Sequence, residues 1–159
     1  MLIDDFATAQ NVSLEENDGV PGIADEGALI EFIFREYLRS VSLYAGYGQG
    51  WTGHLLTIGH AVIELSRLGY PDLAARAHTT YRMYIKTMRQ GPAETDRRIP
   101  DHPASALTPL DNDYWEQKKS IRSGLGHAFK YAYSFYNLLA KLNDPVLRDR
   151  CLIESHRIF

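Results

Sequence analysis

Cysteine occurs once in the 159 residues, as Cys151. That excludes an internal disulfide and any metal site built from several thiolates. Its neighbours Leu147, Leu152 and Ile153 suit a small packed apolar group rather than a reactive thiol. Long apolar runs are absent too, and none approaches the roughly 20 residues of a membrane-spanning helix. The start, Met1-Leu2-Ile3-Asp4-Asp5-Phe6, is acidic and lacks the basic-then-apolar pattern of a secretory signal. A cytoplasmic protein is therefore expected, and Asn11-Val12-Ser13 is a chance sequon. Charge of one sign is scarce: the net charge is −3 with Lys and Arg scattered, which offers nothing to nucleic acid. There is no Gly-x-Ser-x-Gly elbow, no His-Glu-x-x-His and no calcium loop.

What is present is helical periodicity. No strand-like alternation of useful length occurs, so the expected fold is all-α. A single domain of about five to six helices arranged as antiparallel hairpins accounts for the chain. Residues 1–24 carry no period and form a polar arm, expected to be ordered against its own domain or a neighbouring subunit. The helical domain covers 25–159. Asp25 is a good N-cap for a first helix with an apolar stripe of Leu29, Ile33 and Tyr37 beside Ile30, Phe34 and Leu38. The glycines of Ala45-Gly46-Tyr47-Gly48-Gln49-Gly50 end it.

Thr52 is expected to cap a second helix reaching about Leu68, with Leu55, Ile58, Val62 and Leu65 inward. Gly69-Tyr70-Pro71 turns into a third, which buries Leu73, Ala77, Tyr81, Tyr84 and Met88 before Gly91-Pro92. Residues 91–112 hold four prolines and form a long loop, of the kind used as a lid or linker. A fourth helix starts near Asp113, breaks at Ser123-Gly124 and continues to Leu142. Its inward face is Leu125, Ala128, Phe129, Ala132, Phe135, Leu139 and Leu142. Asn143-Asp144-Pro145 opens the last helix.

One unit appears twice. Gly59-His60-Ala61 precedes Leu68-x-x-Pro71-x-Leu73-x-x-Arg76, and Gly126-His127-Ala128 precedes Leu142-x-x-Pro145-x-Leu147-x-x-Arg150. The second unit is longer by seven residues between histidine and turn. Seven residues make two helical turns with a drift of only about 20°, so both histidines keep the same angular relation to their turns. The pattern suggests a duplicated helical hairpin.

These histidines are the first candidates for chemistry. Gly53, Thr57, His60, Glu64 and Arg67 fall on one stripe of the second helix, and His127, Tyr131 and Ser134 on one stripe of the fourth. The plain interpretation of the first stripe is a solvated face with a weak His60–Glu64 pair. The chemical one makes His60 and His127 general acid/bases or metal ligands, with Glu64 and Tyr131 as partners. His54 lies six residues before His60, about 240° around the helix, so the two do not share one straight face. Trp51 and His54 follow the glycine-rich approach to this helix, whose spacing fits neither a P-loop nor a dinucleotide fingerprint. Tyr81 and Tyr84, among ten tyrosines, either belong to the core or line a ligand cavity. His102, in a proline-flanked stretch, is expected to be exposed.

The run from Tyr44 through Gly53-His54, with Leu68-Gly69 and Tyr81-Arg82, resembles the helical questin-oxidase-like proteins over part of the chain. Those proteins are longer, and Gly53-His54-Leu55-Leu56 departs from the pattern around their histidine. The resemblance implies a helical fold, and no residue role or activity is carried from it.

The function expected from the residues is binding of a small organic ligand in a pocket lined by His, Tyr and Glu. Catalysis there would be proton transfer or a metal-assisted step, with the ligands of any metal and the cofactor left open. His54, Trp51, Tyr81, Tyr84 and Ser134 are the ligand-binding candidates. The rival expectation is a non-catalytic interaction or oligomerisation module with a tyrosine-rich face. A homo-oligomer, with a dimer favoured, fits either.

Overall fold

Asp25 does what a short acidic side chain before an apolar helix should do: its carboxylate accepts a hydrogen bond from the Ala28 amide at 3.0 Å and opens the first helix. The computed structural model describes residues 18–44, 49–90 and 125–155, with side chains over 18–41, 52–89 and 129–155. Among the described residues there are five helices and no strand: α1 (Glu26–Tyr44), α2 (Gln49–Arg67), α3 (Pro71–Gln90), α4 (Leu125–Leu139) and α5 (Pro145–Ser155). The expected loop at 91–112, the helix start near Asp113, His102 and the arm over 1–17 lie outside the described residues.

Helix α2 is the centre of the arrangement, packed by α1, α3 and α4, while α5 packs on α1. Pair contacts give the directions. Arg67 at the end of α2 meets Glu26 at the start of α1, and Thr52 near its beginning meets Ser40 near the end of α1, so these helices run antiparallel. Tyr131 lies against Gly53 and Lys141 reaches Glu64, so α4 runs parallel to α2. The core joins Ile33, Phe34 and Tyr37 of α1, Leu55, Leu56, Val62 and Ile63 of α2, and Tyr81, Ile85 and Phe135 from α3 and α4. Phe34 and Tyr37 both pack against the Phe135 ring, at 5.6 and 5.4 Å between centroids.

Two sequence expectations are corrected. Helix α2 begins at Gln49, so Thr52 lies inside it. Its buried hydroxyl shares a 2.6 Å hydrogen bond with Ser40 instead of capping the helix. Leu73 is exposed, and Ala74 takes the buried place in the first turn of α3. The reason is length: α1 begins level with Arg67, so nothing from it extends over the α2–α3 turn. The repeated unit also sits in unlike surroundings, since Leu68 and Leu73 are exposed whereas their counterparts Leu142 and Leu147 are buried.

The two turns are built differently as well. After α2, Gly69 takes φ +79°, its amide bonds the Ser66 carbonyl, and the Tyr70 amide bonds the Leu65 carbonyl, a Schellman closure. After α4 the chain tightens through amide bonds from Lys141 to Leu138 and from Leu142 to Leu139. Asp144 then caps α5, accepting from the Val146 and Leu147 amides at 3.0 Å each.

Residues 18–24 are fastened to α1 and α3 by charge and by two apolar side chains. Arg82 donates to the Asp18 carboxylate and Arg89 to the Asp18 carbonyl, both at 2.6 Å. Arg89 also pairs with the buried Glu36, which takes Arg39 on its other oxygen. His78 donates to the Pro21 carbonyl at 2.8 Å, and Val20 and Ile23 pack on the core.

Candidate functional site at the α2–α4 seam

The stripe of small and polar residues on α2 is covered, not solvated, over most of its length. Gly53 is buried beneath the Tyr131 ring. A Cβ at Gly53 would lie 2.3 Å from ring carbons, so only glycine allows α4 to approach this closely. One residue further, His54 Nδ1 and the Tyr131 hydroxyl are 3.3 Å apart, with the rings meeting edge to face at 5.7 Å. Burial raises the phenol above its ordinary value, so Tyr131 keeps its proton at neutral pH. Thr57 donates to the His54 carbonyl at 3.2 Å, which ties its hydroxyl to the preceding turn.

One to two turns on, His60 is buried with its ring 5.6 Å from that of Tyr133. Its Nε2 lies 3.7 Å from Glu64 Oε1, and the same oxygen accepts a 2.5 Å hydrogen bond from Lys141 Nζ. The electrostatics follow from this sharing. Burial lowers the imidazole below its ordinary value; Glu64 opposes that and Lys141 reinforces it. The hydrogen bond from Lys141 holds the Glu64 carboxyl below the usual range. At neutral pH the group is a neutral imidazole beside a carboxylate–ammonium pair. The stripe ends at Arg67, whose exposed guanidinium turns to Glu26 of α1.

Four of the expected site residues therefore meet at this seam: His54, His60, Glu64 and Tyr131. Tyr131 partners His54 there. The side chains of His127 and Trp51 lie outside the described ones. Ser134 is buried within α4. Tyr81 and Tyr84 belong to the core on α3 rather than to the seam. Tyr81 packs near Gly59, whose position faces Ile33 of α1, and edge-on to Phe32. Cys151 is buried and its thiol is pushed up to about 12, as expected of a packed apolar group.

Lys141 escaped the sequence reasoning. It stands 77 residues from Glu64, at a helix end where a lone lysine gives no sign of pointing inward. Among the described residues no group of three or more His, Cys, Asp or Glu side chains is placed to hold a metal ion. No described helix is long and apolar enough to cross a membrane. No family model, curated protein or solved structure matches the chain.

Proposed function

We propose that this is a small-molecule-binding helical protein, and an enzyme that transfers a proton on an organic substrate at the α2–α4 seam. The observation that carries the proposal is the buried His60 imidazole beside a Glu64 carboxylate that Lys141 already neutralises. A neutral imidazole with a fixed carboxylate neighbour is the state a general base requires before it accepts a proton. The His54–Tyr131 pair supplies a second hydrogen-bonded acid and base within the same seam. His127 belongs to the proposal through its place on α4, in the turn before Tyr131. A cytoplasmic location completes it.

The test is a thermal-shift screen with small phenols and carboxylic acids, followed by calorimetric titration of the compounds that bind. Separate His60→Gln, His54→Gln and His127→Ala proteins are compared with the wild type. At least one compound is expected to bind the wild type and to lose tenfold or more in affinity for the His60 variant, a loss of about 1.4 kcal/mol. Compounds that bind all four proteins equally, or a screen without any binder, would overturn the proposal.

A second reading is favoured by a different observation. Leu68, Tyr70 and Leu73, all about half exposed or more, surround the α2–α3 turn. Such a cluster suits an interaction or oligomerisation module. It predicts a species larger than 18.1 kDa by light scattering at micromolar concentration, and a purely monomeric species would contradict it.

A further inference from the structure

The Glu64 carboxylate has two suitors for one oxygen. Lys141 Nζ approaches Oε1 to 2.5 Å from beyond the C-terminal end of α4, whereas His60 Nε2, on the same helix as Glu64, stays at 3.7 Å. The first is a short charge-assisted hydrogen bond, and the second lies outside hydrogen-bond reach. Lys141 thus takes the oxygen that an i,i+4 histidine would otherwise use. It is itself half-buried, held by the tightened turn that follows α4.

We infer that Lys141 is a positioning residue: by occupying Glu64 Oε1 it weakens the pull of that carboxylate on a His60 proton. The inference rests on His60 being the proton-accepting group proposed above, but it concerns only which partner holds Glu64. Among the described residues, three side chains face His60. Glu64 comes from its own helix, Lys141 from the end of α4, and the Tyr133 ring covers it from α4 without charge. Arg67, one turn beyond Glu64, acts on the carboxylate rather than on the imidazole.

Removing the ammonium has a definite sign. Without Lys141, the Glu64 carboxylate acts on Nε2 with no ammonium offsetting it and the repulsion between two cations disappears, so His60 binds a proton more readily. Removing the carboxylate instead leaves Lys141 facing the imidazole unopposed, so His60 binds a proton less readily. An arginine at 141 retains the cation and should leave His60 near its wild-type state.

The experiment is an NMR titration of the histidine ring carbons in the full chain, with His60 assigned by loss of its signal in His60→Gln. Wild type, Lys141→Met, Lys141→Arg and Glu64→Gln are compared. The expected outcome is a titration midpoint for His60 that rises in Lys141→Met, falls in Glu64→Gln and returns toward wild type in Lys141→Arg. An unchanged or lowered midpoint in Lys141→Met would overturn the inference, as would an arginine variant that moves as far as methionine. If the methionine variant loses its helical circular dichroism, Glu64→Gln decides, because an unchanged midpoint there is equally fatal. None of these readings depends on a ligand, so the result is separate from the success or failure of the binding screen.

Discussion

Three buried tyrosines show how differently the same residue type is used at the scale of single side chains. Tyr131 shares its hydroxyl with His54, whereas the hydroxyls of Tyr37 and Tyr81 are buried with no partner among the described residues. Burial above all, reinforced by Glu154 near Tyr37 and by Glu36 near Tyr81, pushes both core phenols well above their ordinary value. A buried hydroxyl without a partner carries a desolvation cost of about 1–3 kcal/mol. Tyr81→Phe keeps the ring against Phe32 and removes that cost. We expect urea denaturation to show a stability equal to wild type or up to about 1 kcal/mol higher. A loss of more than about 1 kcal/mol would mean that the hydroxyl is satisfied in solution, for instance by an internal water. Sequence spacing placed Tyr81 inward, and nothing in a linear pattern separates a tyrosine chosen for its ring from one chosen for its oxygen.

Among the helices, glycine decides how near two elements come. Gly53 brings α4 onto α2 through Tyr131, and this contact brings the phenol within reach of His54. Gly53→Ala gains helix propensity of up to about 1 kcal/mol, yet its methyl would overlap a buried ring that has little room to turn. We expect a net loss of about 1–3 kcal/mol by chemical denaturation, with the His54 ring resonances shifted as Tyr131 moves away. Three helix boundaries were legible because each has a local cause: Asp25 as N-cap, Gly69 as closure and Asp144 before Pro145; the start of α2 at Gln49 was not. The repeat was legible as a pattern but not as an environment. Leu68 and Leu142 occupy like positions, yet one is exposed and the other buried, because burial depends on which helix passes over the turn.

At the scale of the whole molecule, carboxylates find their partners far away in sequence, and these pairings the sequence did not reveal. Asp18 is held by Arg82 and Arg89 of α3, Glu36 by Arg39 and Arg89, and Glu64 by Lys141, more than 50 residues away except for the Arg39 pair. The stripe of Gly53, Thr57, His60 and Glu64 was readable from periodicity alone. Its covering by α4 was not, since the solvated and the packed versions of that stripe have the same spacing. The difference is one of consequence: a solvated His60 would titrate ordinarily, whereas a buried one resists protonation.

That resistance links the seam to global stability with a fixed sign. His60 is lowered in the folded protein, so its contribution is complete above the ordinary histidine value and is lost as pH falls through the folded value. Glu64 is lowered too, but it acts only at more acid pH, as the medium falls below the ordinary carboxylate range. Urea denaturation of wild type and His60→Gln at about pH 7.5 and about pH 5.5 isolates the first effect, because the other five histidines are common to both proteins. The account predicts that wild type loses more stability on acidification than His60→Gln does. An equal loss in the two proteins, or a wild type that gains on acidification relative to the variant, would contradict a buried, neutral His60 at the α2–α4 seam.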